Sequence, residues 1–160
     1  MLATIGLLQG ETLMAKVQIR YEGLDGEWLT ALKAAHATVK DETVVLPDLT
    51  LREGQKGMIE MTREYILDAN GPRFNAGASC YLTATIDGQT VRLSGSLVLR
   101  RPVRDPAGGS GDVLAFETRD ILFNKEFRSG EKTELITVKS PGEKMIVTVT
   151  IVDATGKPRK

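Results

Sequence analysis

Two β-rich runs separated by glycine-centred turns fill the last third of the chain and constrain its fold more than any other stretch. Ala115–Phe127 (AFETRDILFNKEF) passes through Arg128–Lys132 (RSGEK) into Thr133–Ile136, and a second turn, Ser140–Lys144 (SPGEK), opens Met145–Val152 (MIVTVTIV). The final run is built of β-branched residues, which lose side-chain freedom in a helix and pack well on a pleated surface. Runs of this type joined by turns of this type predict a sheet protein.

The remaining segments extend that reading. Leu13–Tyr21 (LMAKVQIRY) alternates Val17 and Ile19 with Gln18 and Arg20, the pattern of a half-buried strand. After the turn residues Glu22–Gly26, Trp28, Leu32 and Ala35 recur at helical spacing behind Asp25, a suitable N-cap, which predicts one short helix over Glu27–Ala37 anchored by Trp28. Asp41–Leu51 is extended but interrupted by Pro47, which suits an edge strand or a bulge. Met58–Asp68 is ambiguous: Met58, Met61, Tyr65 and Ile66 form a helical stripe, while Ile59, Met61 and Tyr65 form one face of a strand. Periodicity slightly favours helix. Cys80–Asp87 and Gln89–Arg101 predict a hairpin with Asp87-Gly88 placed for a type I′ turn, and Gly95 interrupts its apolar row as a bulge or a close backbone approach. Pro102–Asp112 (PVRDPAGGSGD) reads as an exposed loop between strands. About seven strands with frequent turns point to a β-sandwich or a curled antiparallel sheet. The chain is expected to form a single domain over 1–160, with flexible ends at 1–12 and 153–160.

Composition excludes several functions. Lys+Arg and Asp+Glu both number 21, so the basic excess of a nucleic-acid binder is missing. One cysteine, Cys80, permits no intrachain disulfide and no cysteine-based zinc site, and it is expected to be a small buried hydrophobe. With His36 the sole histidine, a histidine-rich metal centre is excluded, and no cofactor is expected. No apolar run reaches the roughly 20 residues of a membrane-spanning helix. Met1–Leu8 is apolar but lacks the basic flank and cleavage pattern of a signal peptide, and an exported protein without its signal would look the same.

The constellations that could carry chemistry are weak. Glu60, Glu64 and Asp68 would stack on a helical face, as paired carboxylates for hydrolysis do, but a solvated face explains them better. Gly108–Gly111 (GGSG) lacks the Lys-Ser/Thr of a phosphate-binding loop. The serines and threonines of Ser79–Ser96 have only His36, in the alanine-rich KAAHA, as an imidazole for a nucleophilic triad. No enzymatic function is expected. Arg100, Arg101 and Arg104 form a basic cluster at a strand end beside the 102–112 loop, which makes them the candidate partner contacts.

Laid out in order, these segments resemble the core domain of secretins, the outer-membrane pores of type II secretion and type IV pilus systems. Lys16–Glu22 (KVQIRYE) is similar to the secretin strand that precedes a Gly-Trp-type turn, here Asp25-Gly26-Glu27-Trp28. Val45–Tyr65 (VLPDLTLREGQKGMIEMTREY) resembles the secretin strand followed by a Gly-Gln turn and a further apolar strand. Ala78–Leu99 resembles a central strand pair. Phe116–Arg119 is similar to an "x-T-R" motif, Ser129–Glu131 to a "D-G-(Q/E)-T" turn, and Gly142–Gly156 to the closing "E-K" strand. The resemblance runs from about Lys16 to Gly156 and implies that Met58–Asp68 is a strand.

Two departures qualify what is implied. Thr137-Val138-Lys139 runs directly into Ser140-Pro141-Gly142 where secretins carry "G-G-L" and a lip, and the hydrophilic 102–112 loop stands where membrane hairpins would be. The implied molecule is a small immunoglobulin-like relative of the kind found in verrucomicrobial pilus-type gene clusters. Its expected fold is all-β, an immunoglobulin-like antiparallel β-sandwich with one short α-helix. The expected function is that of a non-enzymatic envelope protein, periplasmic or associated with the outer membrane or cell surface. It would contact protein partners of a pilus or secretion apparatus through strand edges and the 102–112 loop, and it leaves a homo-oligomer open. The alternative is a carbohydrate- or mucin-binding module, which requires an exposed aromatic platform built on Trp28.

Overall fold

The computed structural model describes residues 12–66, 71–104, 113–136 and 142–158. In chain order the elements are β1 (Met14–Glu22), α1 (Gly26–Ala34), β2 (Thr38–Lys40), β3 (Thr43–Val45), β4 (Leu49–Arg52), β5 (Lys56–Ile66), β6 (Arg73–Asp87), β7 (Thr90–Arg104), β8 (Val113–Arg128), β9 (Lys132–Ile136) and β10 (Lys144–Val152). They form two antiparallel sheets. One has the order β2-β3-β1-β10-β9 with β4 also on β1, and the other is the meander β5-β6-β7-β8. The fold is the expected all-β sandwich with one short helix.

In the first sheet, β1 and β10 pair along their whole length, from Met14 opposite Val152 to Glu22 opposite Lys144. Alternation turns Ala15, Val17, Ile19 and Tyr21 of β1 inward, and all four are buried. The edge beside β1 is one strand broken in two. Val17 faces Leu49 and Arg20 faces Val45, so Gln18 and Ile19 are opposed by the three residues Leu46–Asp48. Proline has no N–H for a ladder, and Pro47 sits inside this bulge, as an interrupted edge strand requires. The Leu46 N–H donates to the Ile19 carbonyl at 3.0 Å and holds the bulge against β1.

The second sheet decides the ambiguous segment. β5 pairs with β6 from Lys56–Thr83 to Ile66–Arg73, so residues 58–66 are strand and the helical stripe is overruled by an eleven-residue ladder. Asp68 lies outside the described residues. The facing rows make the core: Ile59, Cys80, Leu97 and Ile121 stand opposite one another across all four strands, against Val17, Ile19, Val147 and Val149 of the first sheet. Cys80 is wholly buried, and burial pushes its thiol up to about 12, so it packs as a small hydrophobe. The β6–β7 register runs unbroken through Gly95, so the glycine marks no bulge. A Cβ there would lie 1.9 Å from the Tyr81 carbonyl oxygen, so Gly95 marks a close backbone approach.

Three turns differ from expectation. In the β6–β7 hairpin Asp87 pairs with Thr90, leaving Gly88-Gln89 as the loop. Only Gly88 has positive φ, 61°, the II′ pattern rather than I′. β7 continues through Pro102–Arg104 where a loop was expected. Its pairing with β6 has ended at Arg100, so Pro102 has a single neighbouring strand, the situation in which a strand tolerates proline. Residues 105–112 of the expected loop lie outside the described residues, as do 1–11 of the expected flexible start. After β10 the polar residues 153–158 form a turn. Asp153 accepts from the N–H groups of Thr155 and Lys157, and Pro158 bridges back to Val152.

The helix follows its expected start and ends early. The Asp25 carboxylate accepts from the Trp28 N–H at 3.0 Å, the N-cap bond. At the other end the His36 N–H donates to the Lys33 carbonyl and the Ala37 N–H to the Leu32 carbonyl, the paired bonds of a Schellman terminus. His36 occupies the left-handed position with φ 71°, one residue beyond the cap Ala35 and outside the helix. Glycine adopts that conformation without the Cβ penalty. Replacing His36 by Gly is therefore expected to stabilise the fold by about 1 kcal/mol, read as a higher urea midpoint at unchanged slope.

Candidate functional site

Trp28 projects from the first turn of α1 into the space between the sheets and is 1% exposed. Two arginines from neighbouring strands of the second sheet lie over its ring, Arg101 at 5.5 Å and Arg119 at 5.3 Å from the centroid. Their charges are met by a chain of carboxylates. Arg101 pairs with Glu27 at 3.3 Å and Glu117 at 2.6 Å, and Arg119 with Glu117 at 2.8 Å and Glu143 at 3.0 Å. The Tyr21 hydroxyl donates to Glu143 at 2.7 Å. The network crosses the sandwich, joining α1, β7 and β8 to β1 and the residue before β10.

Two segments singled out by sequence meet here. The arginine of the Phe116–Arg119 motif and the glutamate of the closing "E-K" motif form the Arg119–Glu143 pair. Burial alone would raise the Glu117 carboxyl, but Arg101 and Arg119 outweigh it and hold the group below the ordinary glutamate range. Hydrogen bonding to Glu143 is the largest of the influences that raise Arg119.

This arrangement separates the three expected contact arginines. Arg101 is committed to the network, its side chain 15% exposed. Arg100, on the same strand, lies over Phe116 at 4.5 Å and Phe74 at 6.0 Å. Arg104 is exposed and lies 6.0 Å from the Tyr65 ring. Phe116 in turn contacts Tyr65 and Phe74, with centroids 6.2 and 5.4 Å away. Arg63, which sequence reasoning missed, lies 5.5 Å from Tyr65. The result is a cluster of three rings and three arginines at the helix end of the sandwich. Its members come from β5, β6, β7 and β8, separated by up to a third of the chain, so no local motif announces it.

A cleft of about 970 Å³ opens beside the cluster, between α1 and the ends of β5 and β7. Arg63, Tyr65, Arg101 and Arg104 line it together with Ala31 and Ala34 of the helix. Glu60, Glu64 and His36 do not line it: Glu64 pairs with Arg73 at 3.1 Å, and Glu60 and His36 are exposed elsewhere. Among the described residues no group of three His, Cys, Asp or Glu is placed to hold a metal ion. No helix among them is long and apolar enough to cross a membrane. The burial of Trp28 removes the aromatic platform on which a glycan-binding reading depended.

No family model and no curated protein matches the chain. Solved structures do, and they are secretins. Aeromonas hydrophila ExeD matches with a TM-score of 0.56 at 11% identity, over 96% of this chain and 52% of its own. The Salmonella SPI-1 type III secretion injectisome secretin InvG gives 0.54 at 8% identity, over 94% of this chain and 69% of its own. The V. cholerae type IV competence pilus secretin PilQ gives 0.51 at 15% identity, over 89% and 58%. The chain therefore has a secretin-like fold and spans about half the length of the first of these.

The network carries two predictions. Arg119→Ala leaves the Glu143 carboxylate buried without its cation and is expected to cost about 3 kcal/mol in urea unfolding. The depressed pKa of Glu117 makes its contribution to stability complete above the unfolded glutamate value of about 4.3 and lost as pH falls through the lower folded value. Urea midpoints measured from pH 6 to pH 3 should accordingly fall less steeply in Glu117→Gln than in the native chain.

Proposed function

We propose that the chain is a non-enzymatic component of a secretion or type IV pilus-like envelope assembly and acts through protein contacts. The observation that carries the proposal is a secretin-like fold that extends over nearly the whole chain rather than over one motif. The working surfaces are the ring–arginine cluster, with Arg100 and Arg104 as contact residues, and the exposed edges of the second sheet, β5 and β8. Sheet edges present unpaired backbone groups that a partner strand can extend. Arg101 serves the same surface indirectly by holding Glu27 and Glu117 in place.

On this reading residues 1–160 act as one structural unit without a cofactor, in the periplasm or at the outer membrane or cell surface. Further copies of the chain can be among its partners. Crosslinking and affinity capture from envelope extract are expected to recover a secretin or pilus component. An Arg104→Glu variant is expected to lose that component, with the melting temperature confirming that it is folded. Recovery of no secretion or pilus component by the folded native chain would sink the proposal.

A further inference from the structure

We infer that the cleft between α1 and the ends of β5 and β7 takes an acidic, extended segment of a partner protein. The inference rests on the reading of the chain as a protein-contact module and names the chemistry of the contact. The cleft volume of about 970 Å³ lies at the upper end of the range for ligand pockets, with room for several side chains.

Its charges are unevenly compensated. Arg101 pairs with both Glu27 and Glu117, and the Asp25 carboxylate caps the helix. Arg63, by contrast, has no carboxylate within ion-pair distance among the described residues, and its recorded contact is with the Tyr65 ring. A guanidinium stacked on an aromatic face keeps its N–H edge free for the bidentate geometry that a carboxylate matches. Arg104, at the end of β7, lines the same cleft.

The walls decide between a small anion and a peptide. Ala31 and Ala34 on the helix side and Pro102 and Val103 on the strand side are apolar. A lone anion at Arg63 would leave them wet, whereas the backbone and side-chain stems of a peptide would cover them.

Binding of a fluorescently labelled hexaglutamate peptide to the purified chain, followed by anisotropy at low salt, tests the assignment. Hexaglutamate is expected to bind and hexaglutamine to fail. Arg63→Ala should weaken binding roughly tenfold, the scale of one lost charge-assisted contact. Ala34→Trp, which fills the groove without changing charge, should weaken it as well, with melting temperatures confirming that both variants are folded. Equal binding by either variant, binding of hexaglutamine, or displacement of the peptide by inorganic phosphate at millimolar concentration would overturn the inference. Because this measurement uses the purified chain alone, its failure leaves the envelope proposal standing, and failure of the envelope capture leaves the peptide result intact.

Discussion

The two sheets of this sandwich are held in one relative position by a polar contact as well as by their apolar core. Glu143 is 8% exposed and lies immediately before β10, and it receives both the Tyr21 hydroxyl and the Arg119 guanidinium. Burying a carboxylate is costly unless it is paired and hydrogen-bonded, and here both conditions are met by groups from different sheets. Apolar attraction is non-directional, whereas the hydrogen bonds to Glu143 require an alignment in which Tyr21 and Arg119, from different sheets, reach one carboxylate. Trp28 depends on that alignment, since the two arginines over its ring are the same two that hold Glu117.

The cluster at the helix end is a consequence of the same alignment. Arg100 and Arg101 are adjacent in sequence, but successive strand residues point to opposite faces. Arg101 is drawn into the network, and Arg100 is left over Phe116 and Phe74. One strand thus sends neighbouring arginines to different partners, Arg101 to carboxylates and Arg100 to aromatic rings.

Strand alternation and turn residues were enough to read most elements of the fold from the chain. β1, the N-cap at Asp25, the interruption at Pro47 and the closing strands follow from local chemistry, and local chemistry was legible. Met58–Ile66 was not legible from local chemistry, because its pattern fits both periods; the resemblance implied a strand, and the ladder with β6 bears that out. The turn at Gly88-Gln89 was misread by one residue, since a glycine can take either central position and the register of distant side chains selects which. At the site, the strand-end arginines were visible as a charge run. Their division into structural and surface roles was not, because it depends on Glu27, Glu117 and Tyr65 brought from other elements. Arg63 stood in a segment of undecided structure and carried no signal of its own.

The pairing of β1 with β10 bears on how the molecule comes into being. These two strands lie at the centre of their sheet, yet the paired residues Met14 and Val152 are far apart in sequence. The β5–β8 meander can form from sequence neighbours, whereas the first sheet lacks its middle until β10 has reached β1. Closing so long a loop is an entropic cost met before its contacts form, which predicts slow, late completion of folding. During that interval β1 would present an apolar, unpaired edge, the condition in which a strand is most open to pairing with another chain.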